Sequence, residues 1–529
     1  MSDFPFRNIY SNDTTNIATC ISPYHKTRGG KLGREEVQAT VKEVAGKVDA
    51  HFIQLAHGQV PWYKSRYYPH SEHLKWWKEY FEVTDEQINA MPELYGYVRD
   101  GGDILQDFID ACRECGQAPF VSLRLNDGHH IEWCETKGHV NGIHSINKFL
   151  VEHRHMMLGK DLTKWSERTL NWKYDEPRER MLALITEQCE DYDIDGFELD
   201  FLRHPYYFRV NETSLEERVA IMDGFISKVR AILDRTERNG KRRYLCVRVP
   251  SNLKVWDEIG LVPEHMESLG VDMVNVSSFF YADQWMHYEE FISRMPGLAV
   301  YFEITNTTLS GKSYGGYDCD VLRRITENEI LSTARLAYAA GAQGVSFFNF
   351  VYFREYGNLP ELRGPFNEPP FEAVGKVRDR ELVENAPSHF YIAKGWGGNT
   401  QLGGKCFLSD KEYPFEIYIQ EPAGGFNGEL RFRAVASKPL GNRTLSLVFN
   451  GKACPSCSDV SEPYEEDLKY PPLHGNEENT RAWIVSKEAI RNGKNIFTLK
   501  WTSDTDKEPV EFHYMDIFPI TGEIQSGCP

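Results

Sequence analysis

The sequence predicts an α/β protein in which a (β/α)8 TIM barrel, residues 1–375, precedes an all-β sandwich, residues 376–529. Through about the first 350 residues, eight short β-rich apolar runs alternate with helical patterns, and eight parallel strands close a barrel. A phosphate-binding GxGxxG, expected after the first strand of an open doubly wound sheet, is missing. Beyond residue 376, alternating runs separated by Gly, Pro and Asn turns favour an antiparallel sandwich.

Each element of the predicted barrel has its own signal. Residues 101–116 carry an apolar helical stripe that ends at Gly116, and Ser214 and Glu217 have capping-box spacing before an amphipathic run. A further helical run, Ile330–Ala340, precedes Gly341. The eight predicted strands are Asn16–Pro23, Ala50–Ala56, Pro119–Leu125, Ile194–Phe201, Tyr244–Pro250, Met273–Phe280, Leu298–Thr305 and Gly344–Phe350.

Two connections of the predicted barrel are unusually long. Residues 57–100, after the second strand, are rich in Trp and Tyr, and residues 126–175, after the third strand, contain several His and Trp. Loops after barrel strands build active sites, and aromatic faces suit stacking on sugar rings. The alternative is that most of these rings form a small hydrophobic core inside an inserted subdomain.

The net charge and the hydropathy of the chain restrict which partners it can bind and where it is expected to be located. The net charge of −18 argues against binding of nucleic acid or anionic membranes, which need a basic surface. No apolar run reaches the roughly 18 residues that span a bilayer, and residues 1–4 lack the features of a signal peptide. The expected location is cytoplasmic, or secreted or periplasmic if a signal has been removed. The oligomeric state is not indicated.

Carboxylates at the ends of strands four and seven predict hydrolytic chemistry. Glu198 and Asp200 lie two residues apart and share one face of their strand, and Glu303 lies in a second apolar run. Because burying an unpaired carboxylate is costly, we expect these acids to face a polar pocket across the barrel mouth. Two opposed carboxyls are what glycosidic cleavage requires, so Asp200 and Glu303 are the predicted catalytic pair, with Glu198 in reserve for either role.

The alternative for these acids is a buried ion network with Arg124, Arg203 or Arg248. A catalytic pair should be open to a cleft, whereas a structural acid should have its oxygens occupied by arginines. Three arginines near the mouth also suit an anionic sugar (uronic, sialic or sulfated), unless they only balance the acids. Polar residues that follow the strands give the predicted substrate-binding set, which is His57, Arg124, Asn126, Asp127, His129, Arg203, His204, Arg248, Tyr281 and Asn349.

Neither a cofactor nor a metal site is predicted. The adjacent His129 and His130 cannot easily chelate one ion, and the His-x-His of metal-dependent barrels is missing after the first strand. The predicted partner is an oligo- or polysaccharide. A non-catalytic carbohydrate-binding barrel and a metal-assisted hydrolase remain the alternatives to a glycoside hydrolase.

Residues 195–205 carry a resemblance to known barrels. Asp195-Gly196-x-x-x-Asp200-x-x-Arg203-x-Pro205 resembles the fourth-strand motif of glycosyl-hydrolase-like families, and the same stretch resembles that of α-amylase-type barrels. The second resemblance implies that Asp200 is a nucleophile and that His204 contacts sugar; Glu303 is then left as the acid. The chain departs from the amylase pattern, which has Arg at the position of Glu198 and an acid on the fifth strand.

Overall fold

The computed structural model describes residues 4–14, 17, 33–57, 59–90, 94–140, 142–238, 240–309, 322–351, 369–395, 400–403, 405–461, 463 and 477–520. Eight parallel strands close a barrel, as predicted, and neighbours in sequence are neighbours in the barrel. They are β1 (Asn8–Asp13), β2 (Ala50–Gln54), β3 (Ala118–Arg124), β4 (Gly196–Asp200), β5 (Tyr244–Pro250), β6 (Met273–Ser277), β7 (Ala299–Ile304) and β8 (Gly344–Phe348).

The helices between and after these strands follow the predicted caps. Ser214 accepts a hydrogen bond from the Glu217 amide at 3.2 Å, and Gly341 ends its helix with a φ of 99°. The helices are α1 (Arg34–Lys42), α2 (His70–Phe81), α3 (Asp85–Asn89), α4 (Leu94–Arg99), α5 (Ile104–Glu114), α6 (Lys148–Glu152), α7 (Asp175–Asp191), α8 (Leu215–Arg235), α9 (Leu253–Ile259), α10 (Tyr288–Arg294), α11 (Glu327–Ala340), α12 (Phe371–Lys376) and α13 (Arg380–Asn385). Single 3-10 turns are Ile131–Trp133, Arg154–Met156, Val210–Glu212, Pro263–His265 and Lys487–Ala489.

The prediction of the first strand is wrong. The strand is Asn8–Asp13, and most of the predicted Asn16–Pro23 lies outside the described residues. The actual strand contains Asn8, Ser11, Asn12 and Asp13, all buried in the barrel wall. Hydropathy missed it because polar side chains fill a barrel interior of this kind, so the strand lacks an apolar run.

The two long connections share one hydrophobic core. Helix α2 contributes Trp77 and Phe81, whose rings stack 4.0 Å apart, and the second connection contributes Ile131 and Leu150 among others. Trp76 and Tyr80 pack against the same cluster. The alternative of an inserted subdomain core therefore holds for these rings, which stabilise the insertions and are not arranged as a sugar platform.

The C-terminal domain consists of two antiparallel sheets, as predicted. The strands are β9 (Phe390–Ala393), β10 (Glu412–Ile419), β11 (Leu430–Ala436), β12 (Thr444–Phe449), β13 (Lys452–Cys454), β14 (Ser456–Cys457), β15 (Thr480–Val485), β16 (Gly493–Thr502) and β17 (Phe512–Pro519). One sheet has the order β9-β17-β11-β15-β14 and the other β10-β16-β12-β13. Two short pairs lie outside the main sheets, Ala56–His57 with Val60–Pro61 and Thr307–Leu309 with Leu322–Arg324.

Contacts divide the chain into two compact units. The first comprises residues 1–277, 289–303 and 342–357, and the second comprises 278–288, 304–341 and 358–529. The boundary at residue 375 stays a prediction, and this division differs from it by assigning 278–288, 304–341 and 358–375 to the second unit. None of the described helices combines the length and apolar character needed to cross a membrane.

Candidate active site

The interior of the barrel is layered, because inward positions recur every second residue along each strand. The layer nearest the N-terminal ends is apolar and includes Phe52, Phe120, Met273 and Tyr301. Gly196 belongs to this level, where a Cβ atom would lie 2.0 Å from the ring of Phe120. The glycine of the fourth-strand motif is therefore required by packing, and Asp195 beside it binds Arg113 at 2.9 Å.

The second layer surrounds Glu198. The Ser122 hydroxyl donates to Oε1 of Glu198 at 2.7 Å, and Asn275 and Cys246 lie 3.4 and 3.5 Å from Oε2. Burial and the charge of Asp200 raise the pKa of Glu198 to about 7. Glu198 is thus one layer deeper than the other two acids, which leaves it poorly placed to meet a substrate at the mouth.

The third layer, which we call the arginine–carboxylate layer, lies at the C-terminal ends of the strands and contains Asp13, Arg124, Asp200, Arg248 and Glu303. The pairing register sets Arg124 beside Asp200 and Asp200 beside Arg248. Arg248 Nη1 donates to both oxygens of Asp200 at 3.1 Å, while its Nε and Nη2 donate to Glu303 at 2.6 and 2.7 Å. The acids of β4 and β7 therefore meet on one guanidinium.

Other polar groups complete the hydrogen bonding of these acids. Gln54 donates to Asp200 Oδ2 at 2.6 Å, the Leu202 amide donates to Oδ1 at 2.9 Å, and the Ser277 hydroxyl donates to Glu303 Oε1 at 2.6 Å. Burial raises the pKa of Asp200, against the opposing charges of Arg248 and Arg124. Gln54 and Ser277 were missed by sequence reasoning; their signal is a polar residue at an inward position of an apolar strand.

The three acids are not open to a cleft, as a catalytic pair was expected to be. Glu198 and Asp200 are 0 % exposed and Glu303 is 1 % exposed. The physical reason is Arg248, which supplies the compensating charge and donors that make burial of two carboxylates tolerable. The geometry matches the buried ion network that the sequence left open for Arg248.

Arg124 also pairs with carboxylates of the chain. Its Nη2 lies 2.7 Å from Asp13, and its guanidinium lies 3.7 Å from Asp127 and 4.0 Å from Asp200. Arg124 and Arg248 therefore balance internal acids, which is the second of the two roles considered from the sequence. Arg203 is half-buried, and its charge acts on His129 and His204.

Asp127, His129 and His204 form a second group, which we call the histidine cluster. Asp127 Oδ1 accepts a short hydrogen bond from His129 Nδ1 and lies 3.7 Å from Nδ1 of His204. Burial lowers the pKa of His129 to about 3, against the raising effect of Asp127, and burial holds the pKa of His204 well below its usual range. Both imidazoles are therefore neutral at pH 7.

An aromatic side chain borders the histidine cluster. The Trp165 ring stacks on His204 with 4.5 Å between centroids and is 43 % exposed. The Arg168 guanidinium lies 3.7 Å from the Trp165 ring centroid. Among the described residues of the second long connection, Trp165 is the one tryptophan that is exposed and also contacts a predicted site residue.

The remaining predicted site residues are dispersed. Asn126 bonds backbone groups of Leu170 and Tyr206, and so anchors the connection that follows β3. Asn349 accepts from the Asp13 amide at 3.1 Å. Tyr281 is buried in the second unit, where its carbonyl accepts from Ser278. His57 lies in the short strand Ala56–His57, and its side chain lies outside the described residues.

The raised pKa of Glu198 predicts how stability depends on pH. The folded state holds the proton of Glu198 up to about pH 7, whereas the unfolded chain releases it near pH 4.5. The free energy of unfolding is therefore expected to fall by about 3 kcal/mol between pH 4.5 and 7 on account of this group. Asp283, whose pKa burial also raises to about 7, adds a decline of the same sign.

Urea unfolding at pH 5 and pH 8 tests this prediction. Glu198→Gln should lose less stability than the wild type on going to pH 8, because the amide cannot ionise. Asp283→Asn is the matched control, since it removes a buried acid from the second unit. It should leave unchanged the part of the pH dependence of stability that comes from Glu198. An identical pH dependence in Glu198→Gln and wild type would show that Glu198 titrates normally.

Comparison with known proteins adds fold neighbours alone. No known family profile and no curated protein matches the chain. Similar solved structures are a Paenibacillus sp. cycloisomaltooligosaccharide glucanotransferase (11 % identity, 97 % of this chain and 58 % of that chain, TM-score 0.33) and a Paenibacillus thiaminolyticus alpha-L-fucosidase (13 %, 72 % and 49 %, 0.41). A Bacillus thuringiensis chitinase aligns over 96 % of this chain and 99 % of that chain at 9 % identity and TM-score 0.41. The chain thus spans 58 % and 49 % of the length of the first two, and these neighbours share too little with it to assign an activity.

Proposed function

We propose that the barrel is a glycoside hydrolase whose chemistry takes place at the arginine–carboxylate layer. The observation that carries the proposal is the convergence of Asp200 from β4 and Glu303 from β7 on the Arg248 guanidinium. This layer is the last interior one before the C-terminal face, where TIM-barrel enzymes have their active sites. An anionic layer there would stabilise the positive charge that develops on a sugar ring during glycosidic cleavage.

The contacts suggest distinct roles for the two acids. The charges of Arg248 and Arg124 oppose the rise that burial causes in the pKa of Asp200, and so act toward the ionised form required of a nucleophile or base. Glu303 accepts three N–H groups, two from Arg248 and one from Asn275, and the hydroxyl of Ser277. Assigning Glu303 as the proton donor therefore requires that substrate displace at least one of these donors.

The saturated carboxyl oxygens favour a second candidate, a non-catalytic carbohydrate-binding barrel. The carboxylate oxygens of Asp200 and Glu303 have hydrogen-bond donors without any ligand. These donors are Arg248, Gln54, Ser277 and the Leu202 amide. A layer of this kind stabilises a polar barrel interior. Trp165 and the histidine cluster would then be the groups that contact a sugar.

A glycan panel distinguishes the two candidates. The purified chain is incubated with neutral, uronic and sulfated oligosaccharides, and new reducing ends are measured alongside calorimetric binding. The uronic and sulfated sugars are included because Arg203, whose charge acts on His129 and His204, would match an anionic group. Hydrolysis of one class supports the glycoside hydrolase; binding without any new reducing ends supports the carbohydrate-binding barrel and contradicts the enzyme.

A further inference from the structure

Glu198 is a buried acid to which the proposed hydrolase gives no role. It is 0 % exposed and makes no ion pair within the described part of the chain. Its hydrogen-bond partners are the uncharged side chains of Ser122, Cys246 and Asn275. Burial raises the pKa of the Cys246 thiol well above its usual range, so this partner stays uncharged. An ionised carboxylate among such partners is costly, which favours the protonated form of Glu198.

The charged groups that face Glu198 lie in the arginine–carboxylate layer above it. Burial has the largest effect on the pKa of Glu198 and raises it, the charges of Asp200 and Glu303 raise it further, and Arg248 lowers it, to a value of about 7. Arg124, the other guanidinium of that layer, contacts carboxylates other than Glu198. Above about pH 7, a third carboxylate charge is therefore added beside Asp200 and Glu303.

An asparagine links Glu198 to Glu303. Asn275 Nδ2 lies 3.4 Å from Glu198 Oε2 and 3.3 Å from Glu303 Oε2. The side-chain oxygen of Asn275 accepts a hydrogen bond from the Ser346 hydroxyl at 2.6 Å, so the amide nitrogen is turned toward the two acids. Because one nitrogen serves both acids, a charged Glu198 competes with Glu303 for it.

A serine and a glutamine link Glu198 to Asp200. Ser122 Oγ lies 2.7 Å from Glu198 Oε1 and 3.5 Å from Gln54 Nε2. The same Gln54 nitrogen donates to Asp200 Oδ2 at 2.6 Å. A hydroxyl both donates and accepts, so Ser122 can bond Glu198 in either protonation state. Each acid of the proposed catalytic pair is thus joined to Glu198 by hydrogen bonds.

We propose that Glu198 is a positioning residue that keeps Asp200 and Glu303 in their hydrogen-bonded positions only while it is protonated. The inference rests on the proposed glycoside hydrolase and adds its regulation by pH. When Glu198 ionises, like-charge repulsion acts on both acids from the layer beneath, and the new charge draws Ser122 and Asn275 toward itself. The hydrolase should therefore lose its rate on the alkaline side of neutrality, although Glu198 does not touch the substrate.

The pH dependence of kcat tests the proposal on a glycan that the panel identifies. Between pH 6 and pH 8.5, wild-type kcat per folded molecule should fall by at least about 10-fold, and it should recover when the pH is returned to 6. Glu198→Gln keeps a neutral side chain of the same shape, so its kcat should change by less than about 2-fold over this range. A flat wild-type profile, or the same profile in both proteins, would overturn the proposal.

Asp283→Asn is the matched control for this pH profile. Burial raises the pKa of Asp283 to about 7 as well, but Asp283 belongs to the second unit. This variant should keep the wild-type pH profile of kcat. If Asp283→Asn removed the alkaline loss as Glu198→Gln does, the loss would reflect general stability and the proposal would be overturned.

A measurement without glycan tests the link between the acids. The difference in the free energy of unfolding between wild type and Glu198→Gln, followed from pH 5 to pH 9, gives the pH at which Glu198 ionises. In a Glu303→Gln background one charge that raises the pKa of Glu198 is gone, so this pH should fall by about one unit. An unchanged value would overturn the inference even if a glycan is cleaved. A fall without cleavage of any glycan would support the link and contradict only the hydrolase.

Discussion

Asp200→Asn and Glu303→Gln are each expected to lower the rate of glycoside hydrolysis by about 10³-fold or more on a substrate found with the glycan panel. Each change removes the charge of one carboxylate while keeping its shape, and leaves one oxygen of the two to accept from Arg248. An amide can neither attack an anomeric carbon nor exchange a proton with the leaving oxygen. The measurement is kcat and KM, normalised to the folded fraction determined by circular dichroism.

The sandwich supplies a matched control for lost ion pairing. Asp516 is a fully buried acid held by Arg433 at 2.6 and 2.9 Å, and Asp516→Asn removes a comparable pair from the other unit. It should lower stability and leave kcat unchanged. If Asp200→Asn or Glu303→Gln behaved like Asp516→Asn, with lower stability and near-full turnover, that acid would be structural and its catalytic assignment would be dropped.

Arg248→Met is expected to reduce the free energy of unfolding by about 3–5 kcal/mol or to abolish folding. Arg248 is the cation shared by Asp200 and Glu303, and its guanidinium lies 4.0 Å from the ring centroid of Phe348. Methionine fills similar volume but leaves two buried carboxylates without a compensating charge. Urea unfolding followed by circular dichroism measures the loss.

Two further variants separate charge from geometry. Arg248→Lys keeps the positive charge but lacks the planar fork that contacts both acids, so its loss should be intermediate. Arg433→Met uncovers one acid in the sandwich, Asp516, and should cost less than Arg248→Met. Wild-type stability in Arg248→Met would mean that Asp200 and Glu303 are protonated or hydrated in the folded protein.

The barrel could be predicted from sequence where its strands are apolar. Tyr244–Pro250 has the predicted bounds, and Ser214 caps its helix as expected. Strand β1 could not be found by the same signal, because its inward side chains bond other polar groups in the barrel. Local hydropathy measures only how apolar a segment is. It does not show which partners a polar segment bonds when it is buried.

The sequence predicted which residues form the site but not which of them contact each other. The positions of Asp200, Glu303 and Arg248 at strand ends followed from the strand pattern, yet the sequence could not say that one guanidinium contacts both acids. Likewise His129 and His204 were both found, while their proximity depends on the closure of β3 against β4. Whether an acid is exposed or ion-paired depends on three-dimensional neighbours that are distant in sequence.

The shared core of the two long connections has a consequence for how the rim of this barrel can change. Trp77 and Phe81 from one insertion are covered by Ile131 and Leu150 from the other. Shortening either insertion would therefore uncover the apolar half of its partner and invite aggregation. The rim can therefore change only if both insertions change together. Two segments that are distant in sequence are thus expected to evolve as a pair.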